Sequence, residues 1–167
     1  SNSVDRMNNL LKKLRRDESD LVKRLSILEV VNQAVSECQR NSTKLSADIE
    51  PTARTLNADQ VRLVMTITNF IKNALEATPD DGRVHVTLRV NNDWATVIIE
   101  DNGSGMDWDF IHNRLFKPFE TTKSGKGMGI GVYLSREYIS ELDGTLNVAS
   151  EPGEGTTITI TLPLNKD

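Results

Sequence analysis

A run of strict alternation limits what this chain can become more than any other feature. Val84, Val86, Leu88 and Val90 are apolar, while His85, Thr87 and Arg89 lie between them. A side-chain period of two sends these sets to opposite faces of a strand, so the strand is half buried. Asn91-Asn-Asp turns the chain into a second strand, Trp94 to Glu100, whose Val97-Ile-Ile reads as buried. A ribbon with one apolar face is marginal until something covers it. The covers are amphipathic helices. One starts at Asn57-Ala-Asp-Gln60, which resembles a capping box, and runs to about Thr78 before the turn Pro79-Asp-Asp-Gly82. Another spans Gly127 to Leu142 and is closed by Gly144, and Ile27 to Gln39 reads as a third. Leu146 to Ala149 and Thr156 to Leu164 read as a closing hairpin around Pro152-Gly-Glu-Gly155. The expected fold is α+β: a two-layer sandwich with a mixed, mostly antiparallel sheet and helices on one face.

The first segment follows another period. Val4, Met7, Leu11, Leu14, Leu21, Leu25 and Leu28 advance in steps of three and four, interrupted at Glu18, with Lys12, Lys13, Arg15, Arg16, Asp17 and Asp20 outside the stripe. Such a helix either pairs with another helix as a stem or packs on its own domain. The register breaks near Ser26, which divides the chain into a helical stem, 1–25, and a domain, 26–167. The abrupt helical start is that of a fragment of something longer.

Composition removes several function classes. A net charge of −4 and a pI near 5.3 give no basic stripe for nucleic acid. No apolar run approaches the roughly 20 residues of a membrane span, and no signal-peptide pattern opens the chain. The single cysteine, Cys38, permits no internal disulfide and suits a reducing compartment, which points to the cytoplasm.

Three short stretches carry the chemistry. On the helix after Asn57, the expected buried stripe is Val61, Val64, Met65, Thr68, Ile71 and Leu75. Arg62, Thr66, Asn69, Asn73 and Glu76 fall on the other side, and Asn69 and Asn73, four apart, can reach one point. That face either meets water or presents two amide oxygens to a Mg²⁺ ion that keeps waters and phosphates as further ligands. Asp101 ends a buried strand before Asn102-Gly-Ser-Gly105. It can accept a hydrogen bond from the exocyclic amine of a base, with Gly103 and Gly105 free to take positive φ and admit a flat ring; an ordinary hairpin turn is the alternative. Gly125, Gly127, Gly129 and Gly131 alternate just before a helix, whose free amides and positive dipole end suit phosphate oxygens. Walker A fails because Lys126 is followed by Gly127 rather than Ser or Thr. A dinucleotide fold fails because a loop, not a first parallel strand, precedes the glycines.

Together these stretches resemble the ATP-binding catalytic domain of sensor histidine kinases, within the superfamily that includes gyrase, Hsp90 and MutL. The resemblance covers roughly residues 45–164. Asn69 to Ala77 looks like the N box and Asp101 to Met106 like the first glycine box. Leu115-Phe-Lys-Pro-Phe119 with Glu120-Thr-Thr-Lys123 resembles the phenylalanine box and lid, Gly125 to Gly131 the second glycine box, and Gly155-Thr156-Thr157 the threonines near adenine. The resemblance implies that Asn69 and Asn73 hold Mg²⁺ and that Asp101 reads adenine. By the same resemblance Ala77, Gly103, Gly105, Met106 and Thr157 border the base, while Thr122, Lys123, Gly127, Met128, Gly129, Ile130 and Gly131 meet the phosphates. Phe116 and Phe119 either anchor a lid or pack in the core. ATP or ADP with Mg²⁺ is the implied cofactor set.

The family also implies what separates transfer from hydrolysis. Gyrase-type ATPases carry a glutamate as base for water four residues before the metal-binding asparagine. Here that position is Asn69, and an amide cannot take a proton. Glu76 on the same face stays open as a base, and Asn69, Asn73, Glu76 and Lys123 are the catalytic candidates. Glu76-Ala-Thr-Pro79 replaces the usual lysine and aromatic of the N box, as in nitrogen-regulatory and dicarboxylate-sensor kinases, leaving Lys72 or Lys123 to neutralise phosphate. The only histidines, His85 and His112, lack the acidic neighbour of an acceptor. The acceptor is therefore expected upstream, on a dimerisation helix hairpin whose tail is the stem, and a response-regulator receiver is the implied onward partner. Membrane attachment of the parent protein stays open. Two other classes also remain: a nucleotide-binding sensor without transfer, and an ATPase driving a dimer clamp.

Overall fold

The computed structural model of the protein describes residues 3–18, 21–105 and 128–166. Its elements in order are α1 (Ser3–Glu18), β1 (Val22–Ser26), α2 (Ile27–Gln39), β2 (Leu45–Ile49), β3 (Thr55–Asp59), α3 (Gln60–Ala77), β4 (Val84–Val90), β5 (Trp94–Asp101), α4 (Met128–Glu141), β6 (Thr145–Glu151) and β7 (Gly155–Pro163). The alternating run becomes β4, with Val84, Val86 and Leu88 fully buried. A five-stranded sheet runs β2-β4-β5-β7-β6, and only β2 against β4 is parallel. Helices α2 and α3 bury Ile27, Val31, Ala34, Leu63, Ile67, Phe70 and Ile71 in the same core as the inward side chains of β4, β5 and β7. The expected α+β sandwich with a mixed sheet is the observed one.

Three strands escaped the sequence reading. β1 and β3 form a separate antiparallel pair, with Val22 opposite Asp59 and Ser26 opposite Thr55. β1 overturns part of the expected stem: α1 ends at Glu18, and Leu25, placed in the heptad stripe, is a strand residue against the core. Within α1, Met7 and Leu11 are buried and Asn8 accepts a hydrogen bond from Tyr133 of α4 at 2.7 Å. The helix thus packs on its own chain along that turn. Ser26 is the break in register: its hydroxyl caps α2 by accepting from the Glu29 amide at 3.2 Å.

Helix α3 is capped by Asp59, which accepts from Arg62 N at 3.2 Å, rather than by Asn57, which lies in β3. Its buried stripe is also rotated from the expected one. Val61 and Met65 are exposed, at 69% and 56%, whereas Leu63, Ile67 and Phe70 are buried. A helix flanked on both sides, by α2 and α4, leaves one outward ridge, and Val61 and Met65 occupy it. At the other end Lys44 Nζ donates to the carbonyls of Leu75 and Thr78 at 3.1 and 2.7 Å, a cation on the negative end of the helix dipole. Asp143 rather than Gly144 takes the left-handed position after α4, at φ 61°. Among the described residues no helix is long and apolar enough to cross a membrane.

Candidate functional site

The direction of α4 builds the site. Tyr138, near its C-terminal end, accepts a hydrogen bond at its hydroxyl oxygen from the Asp59 amide at 2.8 Å, and the Arg62 guanidinium lies 4.0 Å from the centre of its ring. Glu141 bonds Arg62 at 2.9 Å. One turn earlier, Ser135 Oγ accepts from Asn69 Nδ2 at 3.3 Å. Rising residue numbers on α3 therefore meet falling numbers on α4, and the two helices are antiparallel. The first turn of α4 consequently lies toward the C-terminal half of α3, where Asn73 and Ala77 are.

The strand that carries Asp101 ends at the same place. Asp101 pairs across the sheet with Thr156, and its Oδ1 accepts from the Gly103 amide at 2.8 Å. The turn that follows is pressed onto α3: Ser104 N donates to Ala77 O at 3.4 Å, and Ser104 O accepts from Gly153 N at 2.6 Å. Both turn glycines are explained by protein contacts. A Cβ on Gly103 would strike the Ala77 carbonyl, and Gly105, at φ +72°, passes against the Glu151 carbonyl. Of the two, only Gly105 takes the positive φ expected for both.

Ala77, Asp101, Gly103 and Gly105 thus meet at the C-terminal end of α3, with Asn73 one turn before that end and Asn69 at mid-helix against α4, and the helical backbone of Met128, Gly129, Ile130 and Gly131 lies toward the same end. Asn69 and Asn73 are half-buried, and their face is the flank of α4 rather than an open surface. Glu76 is exposed and lines a cleft with Lys72, Glu37, Cys38 and Lys44, on the α2 side. Thr157 does not join the group. It pairs with Glu100 on the sheet face turned away from the helices, whereas Thr156 shares the inner face with Ile158 and Asp101. Met106, His112, Phe116, Phe119, Thr122, Lys123, Gly125 and Gly127 lie outside the described residues. His85, expected to be a solvated or hydrogen-bonded strand histidine, has its Nδ1 2.7 Å from Ser46 Oγ.

Two titratable groups away from the site are shifted by burial. Burial pushes the Tyr138 phenol above its ordinary value, against the opposing pull of its hydrogen bond to Asp59 N and of Arg62. Burial likewise raises the Cys38 thiol, keeping it protonated and unreactive although Lys72 opposes the shift. Sequence reasoning missed Ser135, Tyr138 and Lys44, because one polar residue on a helix or in a loop carries no periodic signal.

Comparison with known proteins gives the family. Residues 58–166, more than half of the chain, match the family model of histidine kinase-, DNA gyrase B- and HSP90-like ATPases. The chain belongs to this family. Among its curated members, the signal transduction histidine-protein kinase AtoS of Escherichia coli is 37% identical over 111 residues, 66% of this chain and 18% of that protein. Sporulation kinase E of Bacillus subtilis is 38% identical over 107 residues, 64% of this chain and 14% of that protein. The chain therefore spans less than a fifth of the length of these relatives. The mycobacterial sensor histidine kinase MprB superposes with a TM-score of 0.73 at 24% identity, over 87% of this chain and 99% of that one. Full-length ShkA, solved with AMPPNP, gives 0.74 at 21% identity over 87% and 32%. At these identities the structures establish the shared ATPase-family fold.

Proposed function

We propose that this chain binds ATP with Mg²⁺ and passes the γ-phosphate to a histidine on upstream dimerisation helices, as the kinase core of a two-component sensor. The observation that carries the reading is the amide pair Asn69 and Asn73, set on α3 toward the end where the Asp101 turn and the first turn of α4 lie. The site fits a nucleotide in parts. Asp101 suits the exocyclic amine of adenine, and the amides at the start of α4 suit phosphate oxygens. The two side-chain amides offer hard oxygen donors suited to Mg²⁺. Among the described residues no group of three or more His, Cys, Asp or Glu competes for a metal. Mg²⁺ held there supplies positive charge that offsets the phosphates.

Transfer is favoured over hydrolysis because position 69 holds no base. Its amide nitrogen donates to Ser135. Glu76 is exposed beside Lys72 on the other flank, which supports a surface role rather than water activation. In the transfer the γ-phosphorus exchanges the β-bridging oxygen for an imidazole nitrogen, and ADP leaves. AtoS and the sensor RcsC among the relatives are named as histidine kinases, which supports the same step; a response-regulator receiver is the onward acceptor of this reading. ATP supply and a protonated, reduced Cys38 fit the cytoplasm.

The test is a longer chain that includes the upstream helices, incubated with γ-labelled ATP. Label that survives base and is lost in acid is the expected result. Free phosphate released without protein label, and abolished by Glu76→Gln, would support the ATPase clamp instead.

A further inference from the structure

Ser135 of α4 is almost wholly buried, at 2% exposure, and its hydroxyl faces Asn69. Serine is an indifferent helix former, and a buried hydroxyl in a helix–helix seam is costly unless it is bonded. The partner here is Asn69 Nδ2, at 3.3 Å. A hydroxyl can donate as well as accept, so the bond holds the place of the Asn69 side chain beside α4. We propose that Ser135 is a positioning residue: it holds the Asn69 side chain in one rotamer against α4, where its amide is placed for the metal of a bound nucleotide. The inference rests on the nucleotide reading above and adds a residue to it. Without Ser135 the side chain loses that anchor and takes other rotamers, so the ligand is no longer held in place. Ser135 also belongs to the helix whose first turn is assigned to the phosphates, so one rigid element would set both the phosphate amides and the orientation of a metal ligand. Partners that orient a ligand in this way commonly change metal affinity about tenfold or more.

The experiment is a double-mutant cycle on the protein chain, read by calorimetric titration of ADP with Mg²⁺ and again in EDTA. Ser135→Ala, and Ser135→Cys as a near-isosteric variant that accepts hydrogen bonds poorly, should leave ADP affinity in EDTA within about twofold while reducing the enhancement by Mg²⁺ about tenfold. In an Asn69→Ala background the same changes should do nothing further. Side-chain amide resonances of Asn69 should also shift in Ser135→Ala without nucleotide, a readout that a packing role alone would not produce. If Asn69→Ala abolishes the enhancement and both Ser135 variants keep it, the positioning role is wrong and the site stands. If wild-type protein shows no enhancement, or Asn69→Ala preserves it, the metal site itself fails. A loss that is equal with Mg²⁺ and with EDTA assigns Ser135 to packing and overturns the proposal.

Discussion

The two ends of the α3–α4 pair are made from the same helices and finished in opposite ways. At the Asp59 end four polar residues pair internally: the Asp59 carboxylate caps α3, its amide donates to Tyr138, and Arg62 bridges the Tyr138 ring and Glu141. At the Asn73 end the chain places amide side chains, a carboxylate in a turn and the start of a helix preceded by glycines. One end is closed by the protein itself, and the other is where the proposed nucleotide would be held. Buried polar groups that pair internally hold the helices in register.

The comparison can be broken most severely in the middle. Phe70, 1% exposed, supports both ends, and Phe70→Ala should lower unfolding free energy by about 3–5 kcal/mol in chemical denaturation. A smaller loss would mean that the helices are held mainly by their polar ends. At the ligand end, Asp101→Asn keeps an oxygen for the Gly103 amide while removing the charge. It should weaken ADP binding by about 1.5–3 kcal/mol and leave the melting temperature in place. Unchanged affinity would remove Asp101 from the site.

The closed end should show the reverse pattern. Tyr138→Phe strands the Asp59 amide and should lower stability by about 1–2 kcal/mol, with ADP affinity unchanged. The wild-type protein should also lose stability as pH rises past about 10, because the unfolded phenol ionises before the buried one and the unfolded state then binds fewer protons. Tyr138→Phe should lack that dependence. Least affected should be Glu141→Gln, whose ion pair with Arg62 is partly solvated, at 22% and 31% side-chain exposure, and should change stability by less than about 1 kcal/mol.

How far the sequence went follows from these same residues. β4 was legible because seven residues of alternation outlast chance, β5 as a buried run after the Asn91-Asn-Asp turn, and α2 because Ile27 to Gln39 reads as an amphipathic helix. β1, β2 and β3 are five residues each, and the apolar positions of β1 extend a helical leucine stripe, so period alone could not separate them. The places of Asn69 and Asn73 on α3 and of Asp101 at the end of β5 were legible. Thr157 was chosen over Thr156 because two adjacent threonines read alike until the pairing register assigns each a face. The tilt of the α3 stripe depended on α4 as a neighbour, which no single helix encodes.

The central claim is that nucleotide occupies the Asn73 end and not the Asp59 end. Amide hydrogen exchange with and without Mg²⁺ and a non-hydrolysable ATP analogue tests it most directly. Protection should rise at the C-terminal half of α3, in the Gly103–Gly105 turn and in the first turn of α4, while the amides of Asp59 and Arg62 stay as they were. Protection confined to the cleft around Glu37 and Lys72, or none at all, would contradict it.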